Sequence, residues 1–389
     1  MTTVSLAEWV KTLESGSRPK GGIREGQGEI PSLGAEHLAD DGGFNLTKLK
    51  RIPVDFYRGM RRGRIEPNDI LIVKDGATTG KVSFVNGDFP FEDAAINEHV
   101  FRLVVDTEKA DPHFVFRYLQ SPQGQMEIMS DFRGATVGGI GKSFVDKVSL
   151  PRIDRQEQCR IAAILDRADG IRRKRDRMTE QVDEMLRASF LDVFGDPRKI
   201  SSPSLILNDI AHIARGRFSP RPRNDPRYYN GAYPFIQTGE IANSDGYLSE
   251  YRQTLNREGT KVSKSFPIGT VFVAIVGATI GATAISTRQF WCPDSVIGIV
   301  PKSDEYPAEF IEFLLRFWRL VFLDRAPETA RANINLQTLK PVPIPLCKRG
   351  EAKRFGELYR RLYKLKIGLN ELNGGLFSSV SQRAFRGEL

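Results

Sequence analysis

Two short segments of the chain have residues that could cradle phosphates. Gly76-Ala-Thr-Thr-Gly-Lys81 places a lysine directly after a glycine-rich turn, and Gly277-Ala-Thr-Ile-Gly281 repeats the turn in the second half of the chain. A nucleotide-binding phosphate loop needs four residues between its glycines and a Ser or Thr after the lysine. Here three residues intervene, Val82 follows the lysine, and Ala282 replaces the lysine in the second copy. The spacing argues against nucleotide hydrolysis and favours a structural turn whose glycines permit positive φ angles.

Arginine-rich loops are the second chemical feature. The segment from Arg215 to Arg227 is interrupted by three prolines, a density that excludes a regular helix. Arginines on an extended loop beside glycine suit contacts with phosphates and base edges. The first half has its own basic loops, one around Arg18 and one from Tyr57 to Arg64. With a net charge of +9 these loops favour nucleic-acid binding, and the alternative for each is a solvated surface.

The candidate nucleic-acid contacts are the basic side chains on these loops and on the glycine-rich turn. In the first half they are Arg18, Lys20, Arg24, Arg58, Arg61, Arg62, Lys74 and Lys81, with Arg133 and Lys142 beside a later polar loop. In the second half they are Arg215, Arg217, Arg221, Arg223 and Arg227, with Arg331 beside the corresponding polar loop. Charge and loop context are the arguments for each of them, and a solvated role is equally compatible with the sequence.

Other catalytic and metal-binding patterns are missing from the sequence. Cys159, Cys292 and Cys347 are too far apart for a metal knuckle and too few for a disulfide framework, and no histidine has a companion at zinc-binding spacing. There is no nucleophile elbow, no dinucleotide or adenosylmethionine fingerprint, and no Asn-Pro-Pro-Tyr stretch that would hold a flipped base. Neither a secretory signal nor a membrane span is recognisable. These observations predict a cytoplasmic binding and assembly protein without a catalytic centre or metal of its own.

The elements that must position the basic loops occur twice along the chain. Beyond the glycine turns, five residues late in the first copy match five in the second at one constant offset: Ile140, Val145, Val148, Leu150 and Pro151 with Ile334, Leu339, Val342, Ile344 and Pro345. The period far exceeds that of solenoid repeats. A length of 389 residues therefore predicts a duplicated domain, each copy able to bury its own core.

Within each copy the patterns predict a mixed α and β region. Ile70–Val73, Val82–Val85 and His99–Val105 have the β-branched and alternating character of strands. His113–Leu119 and Glu309–Leu320 are amphipathic helix candidates, each introduced by a proline.

Each copy ends in a segment with coiled-coil spacing. The predicted seam, broken by the polar Arg175, consists of Ile161, Ile164, Ala168, Ile171, Met178, Val182 and Met185 in the first helix and Phe355, Leu358, Leu362, Leu365, Leu369, Leu372 and Leu376 in the second. So narrow an apolar stripe is typical of a seam for a partner helix, and the simplest partner for each helix is the other. The alternatives are a helix folded back on its own domain or paired with another subunit. Gly374-Gly375 predicts a break in the second helix.

These motifs, in this duplicated order, resemble the specificity subunit of type I restriction-modification systems. The resemblance rests on the twin glycine turns, the strand ends Leu150-Pro151 and Ile344-Pro345, Glu157-Gln158 opening the first helix, and the helix ends Ser189–Pro197 and Ala384–Leu389. It covers nearly the whole chain. It implies an α+β fold of two similar target recognition domains, each followed by a long helix, with the two helices paired as an antiparallel coiled coil of pseudo-two-fold symmetry. The corresponding predicted segments are 1–151 and 205–346 for the domains, 152–194 and 347–389 for the helices with the C-terminal tail, and 195–204 for a linker.

The resemblance also implies a function. Each domain would recognise one half of a bipartite, asymmetric DNA target, and the paired helices would act as a spacer and as the docking surface for two modification subunits that methylate adenine with S-adenosylmethionine. Restriction subunits would use ATP and magnesium, so no cofactor is expected in this chain. The alternatives from other classes are a non-catalytic coiled-coil scaffold and a stand-alone DNA-modifying enzyme.

Overall fold

The computed structural model describes residues 2–23, 28–134, 138–324, 334–373 and 375–389, apart from the side chains of residues 324 and 370–373. The chain forms two compact units. The first unit contains Met1–Arg177 together with Asn370–Leu389, and the second contains Met178–Leu369. Each unit thus combines one globular region with parts of both long helical segments. The predicted limits between segments along the chain remain a prediction.

In its described residues, the first unit is built on three small sheets with helices between and after them. Its elements are β1 (Thr3–Ser5), β2 (Val10–Ser15), β3 (Ile30–Leu33), β4 (Lys50–Ile52), α1 (Val54–Gly59), β5 (Ile70–Val73), β6 (Val82–Phe84), β7 (Ala95–Ile96), β8 (Val100–Val105), α2 (Pro112–Gln120), α3 (Pro122–Met129), α4 (Phe144–Lys147), β9 (Ser149–Pro151) and the start of α5 (Arg155–Phe194). The main sheet has the antiparallel order β2-β8-β5-β6, beside the sheets β4-β3-β7 and β1-β9.

The second unit repeats this plan with additional strands. Its elements after α5 are α6 (Leu207–Ile210), β10 (Ala211–Arg215), β11 (Tyr229–Phe235), α7 (Thr238–Asn243), β12 (Tyr247–Leu248), β13 (Gln253–Leu255), α8 (Arg257–Val262), β14 (Lys264–Phe266), β15 (Val271–Ala274), β16 (Thr283–Ser286), β17 (Phe290–Cys292), β18 (Val296–Pro301), α9 (Ala308–Asp324), α10 (Leu336–Leu339) and α11 (Glu351–Asn373). The sheets have the orders β10-β18-β15-β16-β12 and β13-β11-β17-β14. A final helix, α12 (Leu376–Arg386), belongs to the first unit.

The predicted duplication is confirmed by the main sheets of the two units. The orders β2-β8-β5-β6 and β10-β18-β15-β16 are the same, and so is the register, with Ile70 opposite Leu103 in the first unit and Val271 opposite Ile299 in the second. All four residues of β5 and of β15 are buried. Each of these strands is covered on both faces, and this explains why the sequence shows an apolar run there instead of alternation.

The predicted amphipathic helices are confirmed as α2 and α9. In α2 the Asp111 carboxylate accepts a hydrogen bond from the Phe114 N–H at 2.9 Å, and Pro112 occupies the first turn, where its missing N–H costs nothing. Phe114, Tyr118 and their neighbours fill the core beneath β5 and β8. Ala308–Asp324 forms the longer counterpart, α9, in the second unit.

Within the second unit, α5 and α11 run antiparallel. Asp183 of α5 forms an ion pair with Lys366 of α11 at 2.6 Å, whereas Phe190, farther along α5, contacts Phe355, which is earlier in α11. The predicted antiparallel helix pairing is therefore present in this unit. The predicted break is also present, because α11 ends at Asn373, and Gly375 has a φ of 97° before α12 begins at Leu376.

The buried stripe of the long helices differs from the predicted seam. Ile161, Ala168, Val182 and Phe355 are buried as predicted. The half-buried members are Ile164, Leu358, Leu362, Leu369 and Leu376. The exposed members are Ile171, Met178, Met185 and Leu365, and the Leu372 side chain lies outside the described residues. Instead, Leu165, Leu186 and Phe190 complete the buried face of α5.

The physical reason is that α5 packs against globular cores as well as against another helix. Ile161 and Leu165 join the core of the first unit, and Leu186 and Phe190 join that of the second. A helix that faces a domain core buries a wider stripe than a coiled-coil seam does, at the natural period of 3.6 residues. From Val182 to Phe194 the buried positions accordingly advance in steps of four.

Candidate nucleic-acid interface

The two glycine turns have the same hydrogen-bonded geometry. In the first unit Gly80 N–H donates to Val73 O at 2.9 Å, and in the second Gly281 N–H donates to Ala274 O at 2.8 Å. All four glycines of the turns have φ between 70° and 96°. Side chains rarely adopt such angles. The prediction of a structural role for these glycines is confirmed.

In the first unit, several candidate loops meet at one end of the main sheet. Ser15 at the end of β2 lies opposite Phe101, and Val73 at the end of β5 lies opposite Val100. The loop after β2, the glycine turn after β5 and the residues before β8 are therefore neighbours. Arg18, Lys20 and Lys74 belong to this group, whereas Arg24 lies outside the described residues.

Two further loops join the same end through backbone contacts. Gly63 N–H donates to the Glu14 carboxylate at 2.7 Å, and the loop that contains Gly63 carries the exposed side chains of Arg61 and Arg62. Arg58, predicted on this loop, is exposed in the last turn of α1 just before it. Ile140 N–H donates to Lys74 O at 2.8 Å. The second contact brings in the loop with Arg133 and Lys142, both exposed. We call this group, namely residues 16–23, 57–64, 74–81, 97–99 and 138–142 with Arg133, the first basic end.

Lys81 is less available than the other predicted contacts of the first basic end. Its ammonium lies 2.6 Å from Asp40, and only 21% of the side chain is exposed. Asp40 precedes β4 and is remote from Lys81 in sequence, so this ion pair depends on the tertiary fold. The second copy has Ala282 at the equivalent position, consistent with a role in the fold.

The second unit has the corresponding arrangement. Arg215 at the end of β10 lies opposite Ile297, and Ala274 at the end of β15 lies opposite Val296. The proline-rich loop after β10, the glycine turn after β15 and the residues before β18 consequently meet at one end of the sheet. We call residues 215–228, 277–281 and 293–295 the second basic end; the predicted Arg331 lies outside the described residues.

The arginines of the second basic end are held by carboxylates and carbonyls. Asp294 Oδ1 lies 2.6 Å from an Arg223 nitrogen, and the Asp294 carbonyl accepts from Arg215 Nε at 2.5 Å. Arg227 pairs with Asp225 at 2.6 Å and remains largely exposed. The side chain of Arg217 is exposed and has only a long contact, 3.5 Å, with Lys261 O. These partners define the arginine orientations without burying them.

The first basic end uses carboxylates in the same way. Arg18 Nε lies 2.7 Å from Glu98 Oε1, and His99 Nδ1 lies 2.5 Å from Asp75 Oδ1. Lys74 lies between these groups, 3.7 Å from Asp75 and 3.5 Å from Glu98 O. Glu98, Asp75 and Asp294 are not among the residues predicted from the sequence, although Glu98 and Asp294 precede strands at matching positions of the two copies.

The chemistry open to both ends is recognition of anions and base edges. Exposed guanidinium groups offer forked donors that match phosphate oxygens or the O6 and N7 atoms of guanine. Among the described residues no group of three His, Cys, Asp or Glu side chains is placed to hold a metal ion. Burial raises the pKa of the Cys292 thiol, so this cysteine is poorly suited to act as a nucleophile.

Comparison with known proteins agrees with this arrangement. Residues 205–373 match the family model of the type I restriction modification DNA specificity domain. In fold, the chain is similar to the type I restriction-modification system S subunit from M. genitalium, with a TM-score of 0.59 and 15% identity, covering 99% of this chain and 96% of the other. It is also similar to a chain from a structural study of complex assembly and conformational transition of the type I R-M system, with a TM-score of 0.57, 16% identity and coverage of 100% and 98%. No helix in the described parts of the chain is long and apolar enough to cross a membrane.

Proposed function

Since residues 205–373 match the type I restriction modification DNA specificity domain, we propose that this chain is a specificity subunit and that its two basic ends recognise the two halves of one bipartite DNA target. The observation that carries the proposal is the repeated placement of arginine-bearing loops at the same end of equivalent sheets. The loops themselves differ in sequence between the units. Different loops on the same scaffold support an asymmetric target, because base contacts specify sequence while the scaffold positions them.

In this proposal, the catalytic activities belong to partner subunits. The chain would work in the cytoplasm with two modification subunits that methylate adenine using S-adenosylmethionine, and with restriction subunits that require ATP and magnesium. The long helices α5 and α11 would hold the two half-sites at a fixed gap and dock the modification subunits. Two half-sites bound by one chain gain affinity through effective concentration, and the helices set the permitted gap.

Methylation mapping tests this function. The chain is expressed with its modification subunit in a host that lacks other adenine methylation, and methylated adenines are located across the genome. We expect one motif with two different specified halves separated by a fixed number of unspecified bases. A single contiguous motif, or methylation without sequence preference, would contradict the proposal. Expression of the modification subunit alone is the control and should leave the motif unmethylated.

Salt dependence separates DNA recognition from the scaffold alternative. Binding of the complex to a duplex that carries the mapped motif should weaken by orders of magnitude over a modest rise in salt, because cationic side chains release counterions from the phosphates. The double variant Arg61→Ala with Arg62→Ala should reduce the slope of log affinity against log salt by about two if both side chains contact phosphates. A flat response of the unmodified complex would favour a scaffold.

A further inference from the structure

Glu98 and Asp294 occupy the same position in the two units. Each is located two residues before a strand of the main sheet, Glu98 before β8 and Asp294 before β18. Each binds an arginine from the loop that follows the neighbouring strand. Arg18 Nε lies 2.7 Å from Glu98, and an Arg223 nitrogen lies 2.6 Å from Asp294, with Arg221 3.7 Å from the other oxygen of Asp294.

The backbone fixes each arginine loop against the segment that carries the carboxylate. Gly16 and Gly216 are the first residues after β2 and β10. A Cβ on Gly16 would lie 1.8 Å from the Ile96 carbonyl oxygen, and a Cβ on Gly216 would lie 2.2 Å from the Pro293 carbonyl oxygen. Only glycine permits so close an approach. The arginine loop and its carboxylate thus belong to one built arrangement, present in both units.

These carboxylates restrain the arginines and leave them accessible. A guanidinium has five N–H donors, and a carboxylate occupies only one or two of them. Half or more of the Arg18 and Arg223 side chains is exposed, at 59% and 50%. An arginine restrained along one edge loses less conformational entropy when its remaining donors bind guanine.

We propose that Glu98 and Asp294 are equivalent positioning residues for DNA recognition, each holding the arginines of its own basic end in the orientation that contacts bases. This inference rests on the proposed function. It assigns Glu98 to the half-site bound by the first unit and Asp294 to the half-site bound by the second.

The change in sequence discrimination when the carboxylate is neutralised distinguishes a positioning residue from an acid that only lies near the DNA. A carboxylate beside DNA repels the phosphates, so neutralising a bystander strengthens binding to every sequence. Neutralising a positioning residue also relieves this repulsion, but it releases the arginine and weakens discrimination between the target and other sequences. The ratio of target affinity to non-target affinity therefore falls only if the carboxylate positions an arginine.

The experiment uses the full chain in complex with its modification subunits. Affinities are measured for the methylation-mapped target and for two duplexes in which one half-site or the other is scrambled. We expect Asp294→Asn to lower the affinity ratio about tenfold for one half-site only, and Glu98→Gln to do the same for the other. Asp294→Glu should retain most of the ratio. Asp304→Asn and Glu108→Gln, exposed acids beyond the opposite ends of β18 and β8, are matched controls that should leave the ratio unchanged.

The outcomes separate this inference from the proposed function. If the unmodified complex does not discriminate the target from the scrambled duplexes, the proposed function fails. If it discriminates but Asp294→Asn and Glu98→Gln preserve or raise the ratio, the positioning role is overturned. In an Arg223→Met background, Asp294→Asn should cause little further loss, since both changes disable one interaction. A fully additive loss would likewise contradict positioning, and thermal unfolding verifies that each variant is folded.

Discussion

Arg117 in α2 and Glu312 in α9 stand at equivalent positions, both buried, and carry opposite charges. Each is the fifth residue after the proline that introduces its helix. Arg117 donates to Asp166 of α5 at 2.7 and 2.8 Å and to Asp169 at 3.2 Å. Glu312 accepts from Tyr359 of α11 at 3.1 Å. In the first unit, therefore, α2 donates hydrogen bonds to the long helix α5. In the second unit, α9 accepts one from the long helix α11.

Removal of Arg117 should destabilise the first unit. In Arg117→Met the Asp169 carboxylate keeps Arg172 and Arg173 as partners, so the expected cost is about 2 kcal/mol instead of the larger cost of a fully abandoned buried charge. This corresponds to a fall of about 5 °C in the unfolding temperature of that unit, measured calorimetrically. Arg152→Met removes an exposed cation from the same unit and should change the temperature little.

Charge reversal at Glu312 should be more damaging than neutralisation. Glu312 also accepts from Arg316 at 2.8 Å and from Thr283 at 2.9 Å. Glu312→Gln keeps one oxygen acceptor and a similar shape and should cost about 2 kcal/mol, whereas Glu312→Arg buries two cations together and should cost more than about 4 kcal/mol. Hydrogen exchange of α9 and α11 provides the measurement. Equal effects of the two changes would show that charge is unimportant there; Glu305→Arg, on an exposed site before α9, is the control.

Phe385 should anchor the C-terminal helix to the first unit. Its ring lies 4.9 Å from that of Tyr118 and 5.7 Å from that of Phe114, between centroids. Phe385→Ala leaves a cavity in this cluster and should cost about 3 kcal/mol, because truncating a buried phenylalanine loses both burial and contacts. Limited proteolysis should then cleave within α12 before any other helix. Phe385→Leu, which retains most of the volume, should resist cleavage nearly as well as the unmodified chain.

The local elements could be predicted from the sequence because their causes are local. The apolar run at Ile70–Val73 and the Asp111-Pro112 start of α2 specify their own local structure. The glycines of the twin turns do so as well, since a positive φ strongly favours glycine whatever the surroundings. Because the chain is duplicated, an element predicted in one half also predicts its counterpart in the other half.

The partners of the basic side chains could not be predicted, because they depend on long-range register. Lys81 is a predicted DNA contact, and nothing in the sequence indicates that the fold places Asp40 beside it. The ion pair between Glu98 and Arg18 depends on the pairing of β8 with β2, which the sequence does not reveal. The helix seam shifted for a similar reason, since Leu165 and Phe190 face cores assembled from distant strands and helices.

Acid should weaken the attachment of α5 to α2 through Asp169. Burial alone would raise the pKa of this carboxyl, but the hydrogen bond from Arg172 and the charges of Arg117 and Arg173 outweigh it and hold the pKa below its usual value. A carboxyl with a lowered pKa in the folded state contributes stability above its unfolded pKa, and that contribution is lost as the pH falls below about 4.

The measurement compares Asp169→Asn with the unmodified chain from pH 6 downward. Near pH 6 the variant should unfold at a lower temperature, because three arginines lose a shared anion. As the pH falls below about 4 the difference should begin to shrink, because the carboxyl is protonated first in the unfolded chain. It should disappear once the pH is below the lowered pKa of the folded state, where the protonated carboxyl resembles the amide. A difference that stays constant over this range would show that Asp169 contributes by packing and not by charge. Hydrogen exchange distinguishes the loss of this contact from general acid unfolding. If the contact is lost locally, the amides of α2 should exchange at a higher pH than those in the strands of the second unit.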